Sequence, residues 1–162
     1  MYLIREQLFR LGEHAEITDE LGNAVLQVDG RVFSLHNQLA VRDRFGTEVA
    51  EIRRRAVALS PTYRITMRGV QVAEVRKRLG HPLRDRFSVE IAGSDGLEVV
   101  GDLLDHEFTI RRGNETVATI FRRWLSVHDT YAVSVAPGQD DFLILAIVLA
   151  LDLAEQQERA QL

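Results

Sequence analysis

The chain has 162 residues, enough for one hydrophobic core, and its 46% hydrophobic and 27% charged residues exclude a disordered protein. It has no cysteine, which excludes disulfides, thiolate metal sites and a thiol nucleophile. A net charge of −4 argues against whole-molecule attraction to nucleic acid or to an anionic membrane, so any such binding needs a local patch.

The first segment carries Arg5, Glu6 and Arg10 where a secretory signal would need an apolar core, and a cytoplasmic protein is expected. Turn signals then recur: Asp19-Glu-Leu-Gly22, Asp43-Arg-Phe-Gly46, Arg68-Gly69, Ser94-Asp-Gly96, Gly113-Asn114 and Pro137-Gly138. Glycine supplies positive φ, and Asp or Asn folds back on its own backbone, so these are hairpin positions. The short alternating segments between them predict an antiparallel, mainly β fold, either sandwich or barrel.

The segments also repeat. Gly46-Thr-Glu-Val-Ala-Glu-Ile-Arg-Arg-Arg55 matches Gly69-Val-Gln-Val-Ala-Glu-Val-Arg-Lys-Arg78, and Gly113-Asn-Glu-Thr-Val-Ala-Thr-Ile-Phe-Arg-Arg123 follows with one extra residue. Alternation turns Ala50, Ala73 and Ala118 inward with Ile52, Val75 and Ile120, and turns Glu51, Glu74 and Thr119 outward. Alanine at three equivalent inward positions predicts a bulky element packed against it.

Residues 142–151, FLILAIVLAL, supply that element. The run is too short for a bilayer span, which needs ~20 apolar residues. It predicts a helix at about 141–157, capped by Asp140 or Asp141 and buried on every side.

The order of segments resembles the LURP-one-related family, whose members share the tubby-like fold with tubby C-terminal domains and phospholipid scramblases. The matching pieces are Leu59-Ser-Pro-Thr-Tyr-Arg-Ile65, Val100-Gly-Asp-Leu-Leu-Asp-His-Glu-Phe-Thr-Ile110, Arg123-Trp-Leu-Ser-Val-His-Asp-Thr-Tyr131 and Asp140-Asp-Phe-Leu-Ile-Leu-Ala-Ile-Val-Leu-Ala-Leu-Asp152. The resemblance implies one barrel domain over residues 1–162, closed around the hydrophobic C-terminal helix. It also suggests, by analogy of fold, an anionic lipid ligand.

The candidate binding residues are the basic runs Arg53, Arg54, Arg55, then Arg76, Lys77, Arg78, then Arg122, Arg123. Three runs follow the same repeated motif, and arginine's planar fork suits phosphate, so an anionic lipid headgroup or phosphorylated ligand is the expected partner. Against this, Glu51 and Glu74 stand on the same strands to neutralise them. Phe121, on an otherwise polar strand face, points instead to a protein partner. No metal or cofactor is expected. Asp102 and His106 alternate with Asp105 and Glu107 to opposite faces and cannot share an ion without a bulge. Ser126, His128 and Asp129 are too close on one strand for a triad, and Trp124 falls on the inward register. No motif indicates catalysis, and a non-enzymatic binding or scaffold domain is expected.

Overall fold

The computed structural model describes residues 1–5, 14–31, 38–80, 85–102, 107–123 and 130–161. Their alternating segments form β1 (Tyr2–Arg5), β2 (His14–Asp19), β3 (Ala24–Arg31), β4 (Gln38–Asp43), β5 (Glu48–Arg54) and β6 (Thr62–Met67). These continue with β7 (Val70–Arg78), β8 (Arg86–Ile91), β9 (Leu97–Asp102), β10 (Glu107–Arg112), β11 (Glu115–Arg123) and β12 (Thr130–Val135), and one helix, α1 (Asp141–Gln161), follows. Each strand pairs with its neighbours in sequence, and β1 pairs with β12, so the ring closes without an edge.

The turns use the chemistry their residues allow. The Asp19 carboxylate accepts the backbone N–H groups of Leu21 and Asn23, and Asp43 does the same for Phe45 and Thr47. At the β6–β7 hairpin Arg68 and Gly69 have φ of 50° and 79°, the pair of positive values that a twisted two-residue turn requires.

The repeated Val-Ala pair marks a β-bulge. Val41 pairs with Ala50 while Arg42 pairs with Glu48, leaving Val49 unpaired; Val72 and Val117 occupy the same place in β7 and β11. Val25 does so in β3. A bulge puts two residues opposite one, so valine and its neighbour both lean toward the core, and the local twist needed to close the ring increases. Val49 and Val72 pack against the core, and Val117 lies within it.

Helix α1 fills the barrel. Every residue from Ile144 to Leu151 is buried, as are Leu153 and Ala154. Ala50 and Ala73 belong to β5 and β7, which with β6 and β12 are the strands α1 approaches most closely; β11, with Ala118, is outside that set. Asp140 is the cap: its carboxylate accepts the N–H of Leu143 at 3.1 Å. The Tyr2 hydroxyl donates to Asp141, a bond that pushes the phenol up to about 12 and ties β1 to the helix start. The helix continues through the polar stretch to Gln161, past the expected end near 157. Asp152, half-buried, accepts the Gln156 side-chain N–H at 2.8 Å.

Antiparallel order makes the two mouths different. Even strands end at the entry mouth, where α1 begins; odd strands end at the exit mouth, where it leaves. The entry mouth has short turns, whereas the strands at the exit mouth, β9 and β10 apart, are joined by longer stretches of chain.

Gly101 carries a packing requirement inside the wall. It pairs with Phe108, and a Cβ placed there would lie 2.1 Å from the Phe108 ring. Gly101→Ala is expected to displace that ring and cost about 1–3 kcal/mol in denaturant unfolding, the range for overpacked cores.

Candidate functional site

The sequence repeat places three basic runs at the C-terminal ends of β5, β7 and β11, all odd strands, so all three reach the exit mouth. Alternation then splits each run between the two faces of the wall. Arg54 and Lys77 continue the inward rows of Ile52 and Val75, while Arg53 and Arg76 face outward.

The inward lysine is a latch. Lys77 is 12% exposed, and its ammonium donates to Asp85 at 2.8 Å and to Glu158 of the helix. It also stands 5.7 Å from the Phe87 ring centre. Burial pulls the Lys77 pKa down, but the bonds to Asp85 and Glu158 and their charges outweigh it, so the ammonium is held above its usual range. Beside it the Tyr63 hydroxyl donates to Gln157 at 2.9 Å. Burial raises that phenol to about 12, against the opposing charge of Arg54. These bonds fix the last turns of α1 against β6, β7 and the residue preceding β8.

The outward arginines form a second feature. Arg53 on β5 lies directly opposite Arg64 on β6, which lies opposite Glu74 on β7, with Glu90 beyond it on β8. Glu51 answers Arg53 at 2.8 Å. Glu74 alone answers Arg55 at 3.5 Å, Arg64 at 3.7 Å and Arg76 at 2.9 Å. Like charges directly opposite across a strand pair are unfavourable, and half-exposed ion pairs add only ~0–1 kcal/mol each. One carboxylate shared by three guanidinium groups leaves positive charge on this face, and the arginines are part-exposed to solvent.

The runs do not merge into one outer patch. β11 stands six strands from β5 around the ring, on the opposite side of the barrel. Arg78 is exposed at the end of β7, and the side chains of Arg122 and Arg123 lie outside the described residues. Arg64 is the cluster member that motif-matching overlooks, because it stands on no basic run. Its signal is indirect: β6 pairs with both β5 and β7, and Tyr63 and Ile65 face inward, so Arg64 must face outward between the two runs.

Other residues considered for chemistry are only partly visible. Asp105, His106, Trp124, Ser126, His128 and Asp129 lie outside the described residues, and Glu107 is exposed on β10. Among the described residues no three His, Cys, Asp or Glu side chains are grouped so as to hold a metal ion. Nor, among them, is any helix long and apolar enough to cross a membrane.

A closed antiparallel barrel wrapped on one C-terminal helix, with a charged exit mouth, defines the class of this protein. The LURP-one-related family profile matches residues 1–152, and the chain belongs to that family. It is 29% identical over 152 residues to Uncharacterized protein YxjI of Bacillus subtilis (strain 168), covering 93% of this chain and 90% of that one. A protein from Arabidopsis thaliana of known X-ray structure superposes with a TM-score of 0.67 at 21% identity, over 95% of this chain and 90% of its own. At that identity the likeness speaks for the fold.

Removing Lys77 leaves the buried Asp85 carboxylate uncompensated, so Lys77→Met is expected to cost about 3–5 kcal/mol in denaturant unfolding. The pH dependence has a definite sign. Unfolded lysine and tyrosine side chains lose their protons near pH ~10, whereas the folded chain holds those of Lys77 and Tyr63 to higher pH. Both contributions are therefore complete below pH ~10; that of Tyr63 is lost as the pH climbs toward about 12, and that of Lys77 is lost above the usual lysine range. Melting temperatures across that window should fall, and Tyr63→Phe should make the fall shallower.

Proposed function

We propose that the chain is a non-enzymatic binding or scaffold domain, working in the cytoplasm, that recognises phosphate-bearing anions through the outer arginine cluster at the exit mouth. The supporting observation is the sharing of Glu74 by Arg55, Arg64 and Arg76, with Arg53 next in the row. A phosphate group offers three acceptor oxygens and more charge than one carboxylate, so it competes well for these donors. Glu74 then acts as a stand-in anion that keeps the arginines together until the ligand arrives. Lys77 is engaged inside the mouth and contributes field rather than contacts, and Arg78 lies at the margin, at the end of β7. A lipid headgroup and a free phosphorylated molecule present the same chemistry.

Two substitutions test this by calorimetric titration and thermal shift with inositol hexakisphosphate and pyrophosphate. Arg64→Ala is expected to weaken anion binding by roughly tenfold, the worth of one charge-assisted contact. Glu74→Gln is expected to lower the melting temperature of the free protein yet enlarge the anion-induced rise, because three guanidinium groups lose their internal partner. Arginines kept only for ion pairing predict the first effect of Glu74→Gln without the second.

A protein partner is the second reading. Phe121 and Leu3, both half-buried, fall in one register row across β11, β12 and β1, on either side of the buried Ala132. Crosslinking that captures a partner through this row, and that Phe121→Ser abolishes, would favour it.

A further inference from the structure

The β5–β6 connection carries four successive apolar residues, Ala56-Val57-Ala58-Leu59, and all four are exposed. Val57 is 89% exposed and Leu59 fully so. An apolar run of this length left in water is a liability unless a partner covers it. The base of the loop is held in place: the Arg55 N–H donates to the Thr62 carbonyl at 2.8 Å and the Lys77 N–H to the Pro61 carbonyl at 2.9 Å. The Thr62 hydroxyl donates to the Ser60 carbonyl at 2.9 Å. The apex is thus held away from the core. Leu79, just after β7, is exposed at the same mouth.

Each apolar tip is preceded by a basic run: Arg53-Arg54-Arg55 before Ala56, and Arg76-Lys77-Arg78 before Leu79. Moving outward along the barrel axis, cationic side chains come first and apolar ones last. An anionic bilayer has the complementary order, with phosphates outermost and the acyl boundary beneath. The entry mouth also shows exposed apolar tips, Leu21, Phe45 and Val70, but Asp19, Glu20 and Asp43 stand beside the first two, and Arg44 is folded over the Phe45 ring at 4.8 Å. Carboxylates there repel an anionic surface.

We infer that the exit mouth docks on an anionic lipid bilayer: Val57, Leu59 and Leu79 enter the boundary beneath the headgroups while Arg53, Arg55, Arg64 and Arg76 meet lipid phosphates. This rests on the anion-binding proposal and deepens it, since a free phosphorylated molecule would have no use for the apolar tips.

The test is co-sedimentation of the full chain with phosphatidylcholine vesicles, with and without phosphatidylserine and phosphoinositide. The wild type should bind only the anionic vesicles. Val57→Ser/Leu59→Ser should lower that partition roughly tenfold or more through lost apolar burial, with melting temperature unchanged because both side chains are exposed. Phe45→Ser at the entry mouth should bind as the wild type does. The inference is overturned if the double variant sediments like the wild type, or if the wild type ignores vesicles yet responds to inositol hexakisphosphate, which leaves the anion site standing. It is also overturned if the tips prove to join two copies of the chain, seen as a dimer that the double variant dissolves. Indifference to both vesicles and soluble anion removes the anion site as well.

Discussion

A helix with no polar face over residues 144–151 cannot rest on a surface; it must be surrounded. Of the ways a chain can surround a rod, a sheet closed on itself leaves no strand edge unpaired and no helix flank bare. That one constraint accounts for the small alanines of β5 and β7 near α1 and for the bulges in β3, β5, β7 and β11 that twist the wall around it. It also explains the polar fastenings at either end: Asp140 and Tyr2 at the entry, Lys77 and Tyr63 at the exit. Fully burying each large side chain contributes about 1.5–3 kcal/mol before entropy, so the rod and its sheath depend on one another for stability.

Closure also gives the two mouths different surfaces. Every odd strand delivers its end to the exit mouth, so a short repeat ending in basic residues becomes a rim with cations inside and outside the wall. Inside, a half-buried lysine between two carboxylates fastens the helix. Outside, arginines crowd a single glutamate, and the loop beyond them turns apolar. The same alternation that builds the wall therefore sorts one basic run into an inward half and an outward half.

Much of the fold was legible because period-two alternation and turn chemistry act locally. Asp19 and Asp43 signal their hairpins by the same bonds they make in the structure. The bulges were not legible: strict alternation sends Val49, Val72 and Val117 outward, and only the register shows that each is an extra residue leaning in. Ala118 shares the motif of Ala50 and Ala73 without standing on one of the strands closest to α1, because a repeat fixes local conformation and not distance to the centre. At the candidate site the basic runs could be read from spacing, but the division by strand face, the six-strand separation of β11 from β5 and the role of Arg64 follow from strand pairing. The exposed Ala56–Leu59 segment lacked any pattern distinguishing it from a core strand until its exposure was known.

The enclosure of α1 is the claim on which the rest stands, and amide hydrogen exchange measures it most directly. If the barrel wraps the helix, the amides of residues 144–154 can exchange only when the whole structure opens, so their opening free energies should equal that of global unfolding and fall together with added denaturant. Exchange of those amides at markedly lower free energy than the strands, while the strands remain protected, would contradict an enclosed helix.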